Sequence, residues 1–236
     1  MSPDPAVVEG LDLTGARLAD DAGPLARTAS GRPPTLRRCT LAEADLTGLD
    51  LSGVLFEHCV LDRATLRDCV LDRARFRGGS AVGARFSEAE LTDAELIDLD
   101  LSGARFDHAL LADTRFTGCR MLGAALTPLR GLAVTFVLDR CNLQLADLSD
   151  TALRGLRVTG SDLSEADLRG ADLREAVFVD CRLRNTDLGH TRLTGADLRG
   201  ADLGLLTEDS PRQLRGATIS AAQAAEICTV LGLTVA

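Results

Sequence analysis

From Leu36 to Leu126 every fifth residue is apolar, running Leu36, Leu41, Leu46, Leu51, Phe56 and onward to Phe116, Met121 and Leu126. Two residues before each of these centres sits a small side chain, most often Ala (Ala44, Ala64, Ala74, Ala84, Ala89, Ala94) or Cys. A second array runs from Leu138 through Leu143, Leu148 and Leu153 to Leu203. It holds the purest copies, Ala166-Asp167-Leu168-Arg169-Gly170 and Ala196-Asp197-Leu198-Arg199-Gly200. A period of five matches neither the helix nor the strand. It fits a chain that turns a corner every five residues, sending the centre and the small residue inward and three residues outward. Four sides close a coil of twenty residues, and coils stack at the β-ladder spacing of ~4.8 Å. The expected fold is all-β: a right-handed, four-sided (quadrilateral) parallel β-helix.

Two side-chain ladders test the twenty-residue coil. Phe56, Phe76 and Phe116 fall on one side, and Cys39, Cys59 and Cys119 fall together on the next. Leu126 to Leu138 is twelve residues, two repeats plus two extra. If the extra pair bulges around Thr127 to Gly131, Phe178 joins the Phe side and Cys141 and Cys181 join the Cys side. The solenoid is therefore expected over residues 1–219, with a register slip at 127–132 and a break at 204–213. At the start Val8, Leu13 and Leu18 keep the beat, and residues 19–34 interrupt it as a projecting loop or an irregular cap. Residues 220–236 change character. Ser220 with Gln223 is a capping-box pattern and Gly232 a terminator, which predicts a helix near Ala221 to Leu231, followed by a short strand at Leu233 and Val235. The open end of a parallel coil exposes unpaired backbone and apolar cross-section. This cap is expected to cover part of that end, and a second copy the rest, through Ile227, Leu231, Leu233 and Val235.

Composition narrows the function. The 236 residues carry a net charge of −9, all 26 basic residues are Arg, and aromatics make up 3% with no Trp or Tyr. Such a chain lacks both the basic patch and the stacking surface of a nucleic-acid binder, so direct nucleic-acid binding is not expected and a basic protein partner is. No run of ~18 apolar residues is present to span a membrane. The first ten residues lack a basic region followed by an apolar one, so the expected compartment is the cytoplasm. Six of the seven Cys occupy the small inward slot, where Cys acts as a small hydrophobe. His58, His108 and His190 point outward on different sides. No catalytic, metal or cofactor site is expected, because a filled prism has no pocket in which such groups converge.

The Ala-Asp-Leu-x-x beat resembles that of the pentapeptide-repeat proteins over about nine-tenths of the chain. The likeness is specific for fold and weak for function. The two arrays with a slip between them, the stretch Cys119-Arg120-Met121-Leu122-Gly123, and the terminal Ser-x-x-Gln helix ending in Leu231-Gly232-Leu233 are similar to the topoisomerase-protecting branch. That branch includes the Qnr and MfpA quinolone-resistance proteins and self-immunity proteins of antibiotic producers. The resemblance implies a non-catalytic homodimer joined through the C-terminal caps, shaped and charged like duplex DNA, that binds DNA gyrase and protects it from a poison.

The repeat register allows the charge to be placed on the prism. The side centred on Leu51, Leu71, Leu91 and Leu111 displays Asp50, Asp72, Glu90, Asp93 and Asp113 against Arg73. After the slip, the adjacent side centred on Leu148, Leu168 and Leu188 displays Asp147, Asp150, Asp167 and Asp187 against Arg169. An acidic stripe is thus expected to cross one edge at the slip. About nine coils span ~43 Å, over which duplex DNA carries about −25, against −9 for the whole chain. Any mimicry must lie in shape and in a local stripe. The competing expectation is a generic repeat scaffold with an unrelated protein partner, on which these acids are only solvated surface.

Overall fold

The computed structural model describes residues 7–18, 23–25, 31–131 and 135–235. Nine short strands follow one another in chain order in one parallel sheet: β1 (Val7–Glu9), β2 (Thr35–Arg37), β3 (Leu55–Val60), β4 (Arg75–Ser80), β5 (Glu95–Ile97), β6 (Arg115–Thr117), β7 (Val137–Asp139), β8 (Arg157–Thr159) and β9 (Val177–Val179). Each pairs with the strand one coil later, as in Phe56↔Phe76 and Phe76↔Leu96. This sheet is side 1 of the prism. Sides 2, 3 and 4 are ladders of single bridges with the same offset, such as Thr40↔Val60, Asp45↔Thr65 and Asp50↔Val70. On side 2 the last rungs lengthen into β10 (Cys181–Arg182) and β11 (Ala201–Asp202). The fold is the four-sided parallel β-helix that the period of five predicts.

The repeat works because each of its positions has a separate task. The centre fills the axis: Leu41, Leu46, Leu51, Phe76, Phe86 and Phe106 have no exposed surface. The small slot closes a tight turn, in which the Ala44 N–H donates to Leu41 O at 3.1 Å and Glu43 adopts φ +59°. A hydroxyl or thiol there finds a carbonyl on the coil below. Thr114 Oγ1 donates to Leu91 O at 2.7 Å, Cys69 Sγ to Leu46 O at 3.0 Å, and Cys119 Sγ to Leu96 O at 3.2 Å. Gly79 takes this slot where nothing larger fits, since a Cβ would stand 2.1 Å from Cys59 O. Desolvation pushes the Cys59 thiol up to about 11 and the Cys69 thiol up to about 12, so both stay protonated core groups.

The interruptions lie close to, but not all at, the expected places. Pairing keeps the twenty-residue offset through Leu110↔Arg130, then becomes twenty-two at Arg115↔Val137. The two extra residues therefore enter between Arg130 and Val137, overlapping the C-terminal end of the slip expected at 127–132. Gly131 stands where a side 4 centre belongs, and Phe136 and Leu129 fill that part of the core. Phe136 lies in the nominally small slot and meets Phe116 edge to face at 6.2 Å. In the first coil β1 pairs with β2 at an offset of twenty-eight. Of the 19–34 interruption, Gly23–Leu25 form a 3-10 turn that buries Leu25. Residues 19–22 and 26–30 lie outside the described residues. Within 204–213 a short helix, α1 (Ser210–Gln213), forms, and the ladder resumes at Asp197↔Thr218.

The terminal helix α2 (Ala221–Val230) starts on a complete capping box. Ser220 Oγ accepts from Gln223 N–H at 3.2 Å, and Gln223 Oε1 accepts from Ser220 N–H at 2.7 Å. The buried Gln223 amide also donates to Leu198 O and Ala201 O, at 2.9 and 2.7 Å, so one side chain both starts the helix and covers carbonyls of the last coil. Past it, Leu233 and Val235 do not form the expected strand. They continue as irregular chain.

Candidate partner-binding surface

On sides 2, 3 and 4 most of the Asp residues immediately before a centre are part of the turn. Asp45 Oδ1 accepts from the Thr47 N–H at 3.1 Å and from its hydroxyl at 2.6 Å. Asp100 with Ser102, Asp147 with Ser149 and Asp162 with Ser164 repeat this pair of bonds. In the Asp-Leu-Arg copies the guanidinium replaces the hydroxyl, as in Asp167 with Arg169 and Asp172 with Arg174. These bonds favour the ionised carboxylate, so Asp45, Asp167 and Asp172 are held below the usual range, chiefly by Thr47, Arg169 and Arg174 respectively. On side 1, Arg199 lowers Asp197 to about 2 in the same way. Much of the Asp content is therefore turn chemistry.

Against that background the expected stripe divides in two. Asp147, Asp167 and Asp187 stand on successive rungs of side 3, ~4.8 Å apart. Asp147 is engaged by Ser149, and Asp167 by Arg169, whose Nε also lies 3.5 Å from Asp187. On side 4, Asp50 and Glu90 share a column two rungs apart, and Glu90 is 3.4 Å from Arg130. Asp72 is half-buried, with Oδ1 closed off from water and without a hydrogen-bond partner among the described residues. Asp93, Asp113 and Asp150 are different. They sit at corners with φ of +57°, +53° and +51°, are exposed, and among the described residues have side chains in neither a hydrogen bond nor an ion pair. Among the described residues, these three carboxylates are committed to no partner. The stripe lies on side 4 before the slip and on side 3 after it, so its two halves meet across one edge.

Side 1 carries a cationic pattern that the five-residue beat does not reveal. It presents Arg75, Arg77, Arg115 and Arg157, of which Arg77, Arg115 and Arg157 make no ion pair among the described residues. On side 2, by contrast, Arg63, Arg120, Arg182 and Arg184 all face carboxylates. The cations of side 1 are therefore less neutralised by neighbouring coils than those of side 2. Spacing alone conveys this poorly, because pairing across coils depends on side-chain reach.

The C-terminal end carries the exposed apolar surface. Ile227 turns inward and is buried on its own last coil, so it seals the chain's own end instead of waiting for a second copy. Leu231, Leu233 and Val235 remain exposed, joined by Leu205, which is 87% exposed beside a hollow lined by Leu206, Glu226, Thr229 and Val230. Leu205 lies inside the expected break and was not singled out by the sequence pattern. Among the described residues no group of three His, Cys, Asp or Glu is arranged to hold a metal ion. His58 is exposed at the corner after side 1, while His108 and His190 are exposed at the corner after side 3, four coils apart, so the expected separation onto different sides holds only for His58 against the other two. No helix among the described residues is long and apolar enough to cross a membrane.

A closed square coil with a five-residue beat defines a class of parallel solenoids, and the sequence family agrees. The profile for pentapeptide repeats matches eight copies, over residues 36–73, 69–107, 94–127, 141–178 and 176–204, and this chain belongs to that family. Among solved structures, a trypsin-treated form of QnrB1, a plasmid-mediated fluoroquinolone resistance protein, is 20% identical with a TM-score of 0.50. The match covers 97% of this chain and 99% of that one. HetL, a pentapeptide repeat protein involved in heterocyst differentiation regulation in a Nostoc cyanobacterium, is 24% identical over 83% of this chain and 86% of its own, with a TM-score of 0.39. A pentapeptide repeat protein of the Arabidopsis thaliana thylakoid lumen is 23% identical over 79% and 86%, with a TM-score of 0.17. No curated protein matches the sequence.

Proposed function

We propose that this protein is a non-catalytic, DNA-mimicking binder of DNA gyrase or a related type II topoisomerase, acting in the cytoplasm to protect that enzyme from a poison. The poison is a quinolone or a natural-product antibiotic. The observation that carries the reading is the set of uncommitted carboxylates Asp93, Asp113 and Asp150 along an acidic stripe that crosses one edge of a rigid prism. A scaffold needs its turn aspartates, but gains nothing from the unpaired charge that Asp93, Asp113 and Asp150 place at the two edges of side 4. An extended negative stripe is complementary to a cationic groove built for duplex DNA and raises the rate of encounter with it. The fold shared with QnrB1, whose own name ties it to fluoroquinolone resistance, is consistent with this reading. Two copies joined end to end through Leu205, Leu231, Leu233 and Val235 would double the length of the stripe.

The test is gyrase supercoiling with and without a fluoroquinolone, titrated with the purified chain. Protection at substoichiometric to equimolar ratios supports the reading. Absence of both protection and binding returns the protein to the generic scaffold with an unrelated partner.

A further inference from the structure

Nineteen non-glycine residues among those described adopt left-handed backbone, one at nearly every corner that lacks glycine. Eighteen of them are charged or polar: Arg, Asp, Glu, His or Asn. The nineteenth is Leu145, with φ +60°. Left-handed backbone crowds Cβ against the following carbonyl in every residue but glycine, and at these corners the residue that accepts it is otherwise always polar. Leu145 N–H reaches Ser164 O at 3.3 Å, where the same bond at neighbouring coils of this corner is 2.8 Å from Glu43, 2.8 Å from Arg63 and 2.9 Å from Glu165.

The strain is not offset by burial, because Leu145 is 57% exposed. One coil below, the same corner is Gly123, and beside that lies Leu122, itself 39% exposed. Single exposed leucines are ordinary and need no explanation. Leu145 is the one apolar side chain among the nineteen, exposed at a corner where Gly or Asn would fit the backbone with less strain. Strain retained at one position points from the outlier toward a function.

We infer that Leu145, with Leu122, is the apolar anchor of the partner-binding surface, received by a nonpolar hollow in the same cationic protein surface that takes the stripe. Asp147 follows Leu145 by two residues on side 3, Asp150 stands at the next corner of that coil, and Glu165 occupies the Leu145 corner one coil above. The apolar spot is thus rimmed by carboxylates, and the surface that covers it must place cations around an apolar centre. Steering and register belong to the charges, while residence time belongs to a desolvated anchor. This inference rests on the proposed topoisomerase reading and names the residues that give it affinity.

The experiment measures binding of wild type, Leu145→Gly, Leu122→Ser and the triple Asp93→Arg/Asp113→Arg/Asp150→Arg to purified gyrase heterotetramer at several salt concentrations, alongside melting temperatures. Leu145→Gly is expected to keep or raise the melting temperature, weaken binding about tenfold, and leave the salt slope unchanged. Leu122→Ser is expected to weaken binding by a smaller factor. The triple reversal weakens binding and changes the slope. If the triple weakens binding and Leu145→Gly does not, the anchor is overturned and the topoisomerase reading stands. If Leu145→Gly weakens binding only with a marked fall in melting temperature, its role is structural and the inference fails. Wild type that does not bind gyrase, or binding that no variant alters, overturns both.

Discussion

The rings of Phe56 and Phe76 lie face to face, with centroids 4.7 Å apart and planes 6° from parallel. That separation is the ladder spacing itself, so the pair can stack only if the two residues occupy the same place on consecutive coils. Phe86 and Phe106 repeat the arrangement on side 3 at 4.9 Å. Phe76 and Phe86 then meet edge to face at 6.3 Å, so the two stacks are joined across the axis.

Phe76→Ala removes the ring that links the stacks and leaves a void in a core without slack. The expected cost is about 3–5 kcal/mol, as for other buried Phe to Ala changes. Chemical denaturation measures it. A midpoint equal to that of wild type would mean that Phe76 does not face the axis.

Reversal of charge tests the stripe without disturbing the turns. Asp93, Asp113 and Asp150 are the informative choice, because Asp147 and Asp167 hold turn bonds that reversal would break. Arginine is tolerated at left-handed corners, as Arg38, Arg63, Arg73 and Arg140 show. The triple Asp→Arg variant is therefore expected to melt close to wild type and to lose protection of drug-poisoned gyrase. A control triple of Glu43, Asp98 and Asp180, also at left-handed corners but off the stripe, is expected to protect nearly as well as wild type. Equal behaviour of the two triples would remove the stripe from the account.

The exposed apolar end predicts assembly. Leu231→Arg places a charge amid Leu205, Leu233 and Val235, which is strongly unfavourable if that surface is buried between copies. Light scattering is expected to show a dimer for wild type and a monomer for Leu231→Arg, with the fold intact because Leu231 is 47% exposed in the single chain. Ile227→Arg is expected to lower the melting temperature as well, since Ile227 packs on its own coil. A monomeric wild type refutes the prediction.

Stability is expected to fall in acid. The folded values of Asp45, Asp162, Asp167, Asp172, Asp197 and Asp202 all lie below the unfolded carboxylate value. For Asp197 the fall is from 3.8 to about 2. In that window the unfolded chain binds more protons, so stability rises with pH. The contribution is fully present above about pH 4 and is lost as pH falls through the folded values toward 2. Each pair is largely exposed and contributes little alone. Melting curves between pH 7 and 2.5 are expected to be flat to about pH 4.5 and to drop below it. A flat profile down to pH 2.5 would contradict the turn-bond account.

The closed four-sided coil was legible in the chain because a five-residue turn is a local event repeated. Each coil then restates the same inward and outward choice, and the Phe and Cys ladders are visible as spacings of twenty. The capping box at Ser220 and Gln223 is local in the same sense. What spacing could not supply was anything that depends on which side chain reaches which neighbour across coils. The insertion enters after Arg130 because Pro128 and Arg130 keep their rungs on the coil below, and Phe136 replaces the centre that Gly131 cannot provide. Ile227 belongs to its own core because Gln223 draws α2 onto Leu198 and Ala201. The acidic stripe could be placed from the repeat alone. Only the folded chain separated the carboxylates spent on turns from Asp93, Asp113 and Asp150, and only its backbone angles set Leu145 apart, since hydrogen bonding and left-handed strain are properties of three-dimensional neighbours and not of sequence spacing.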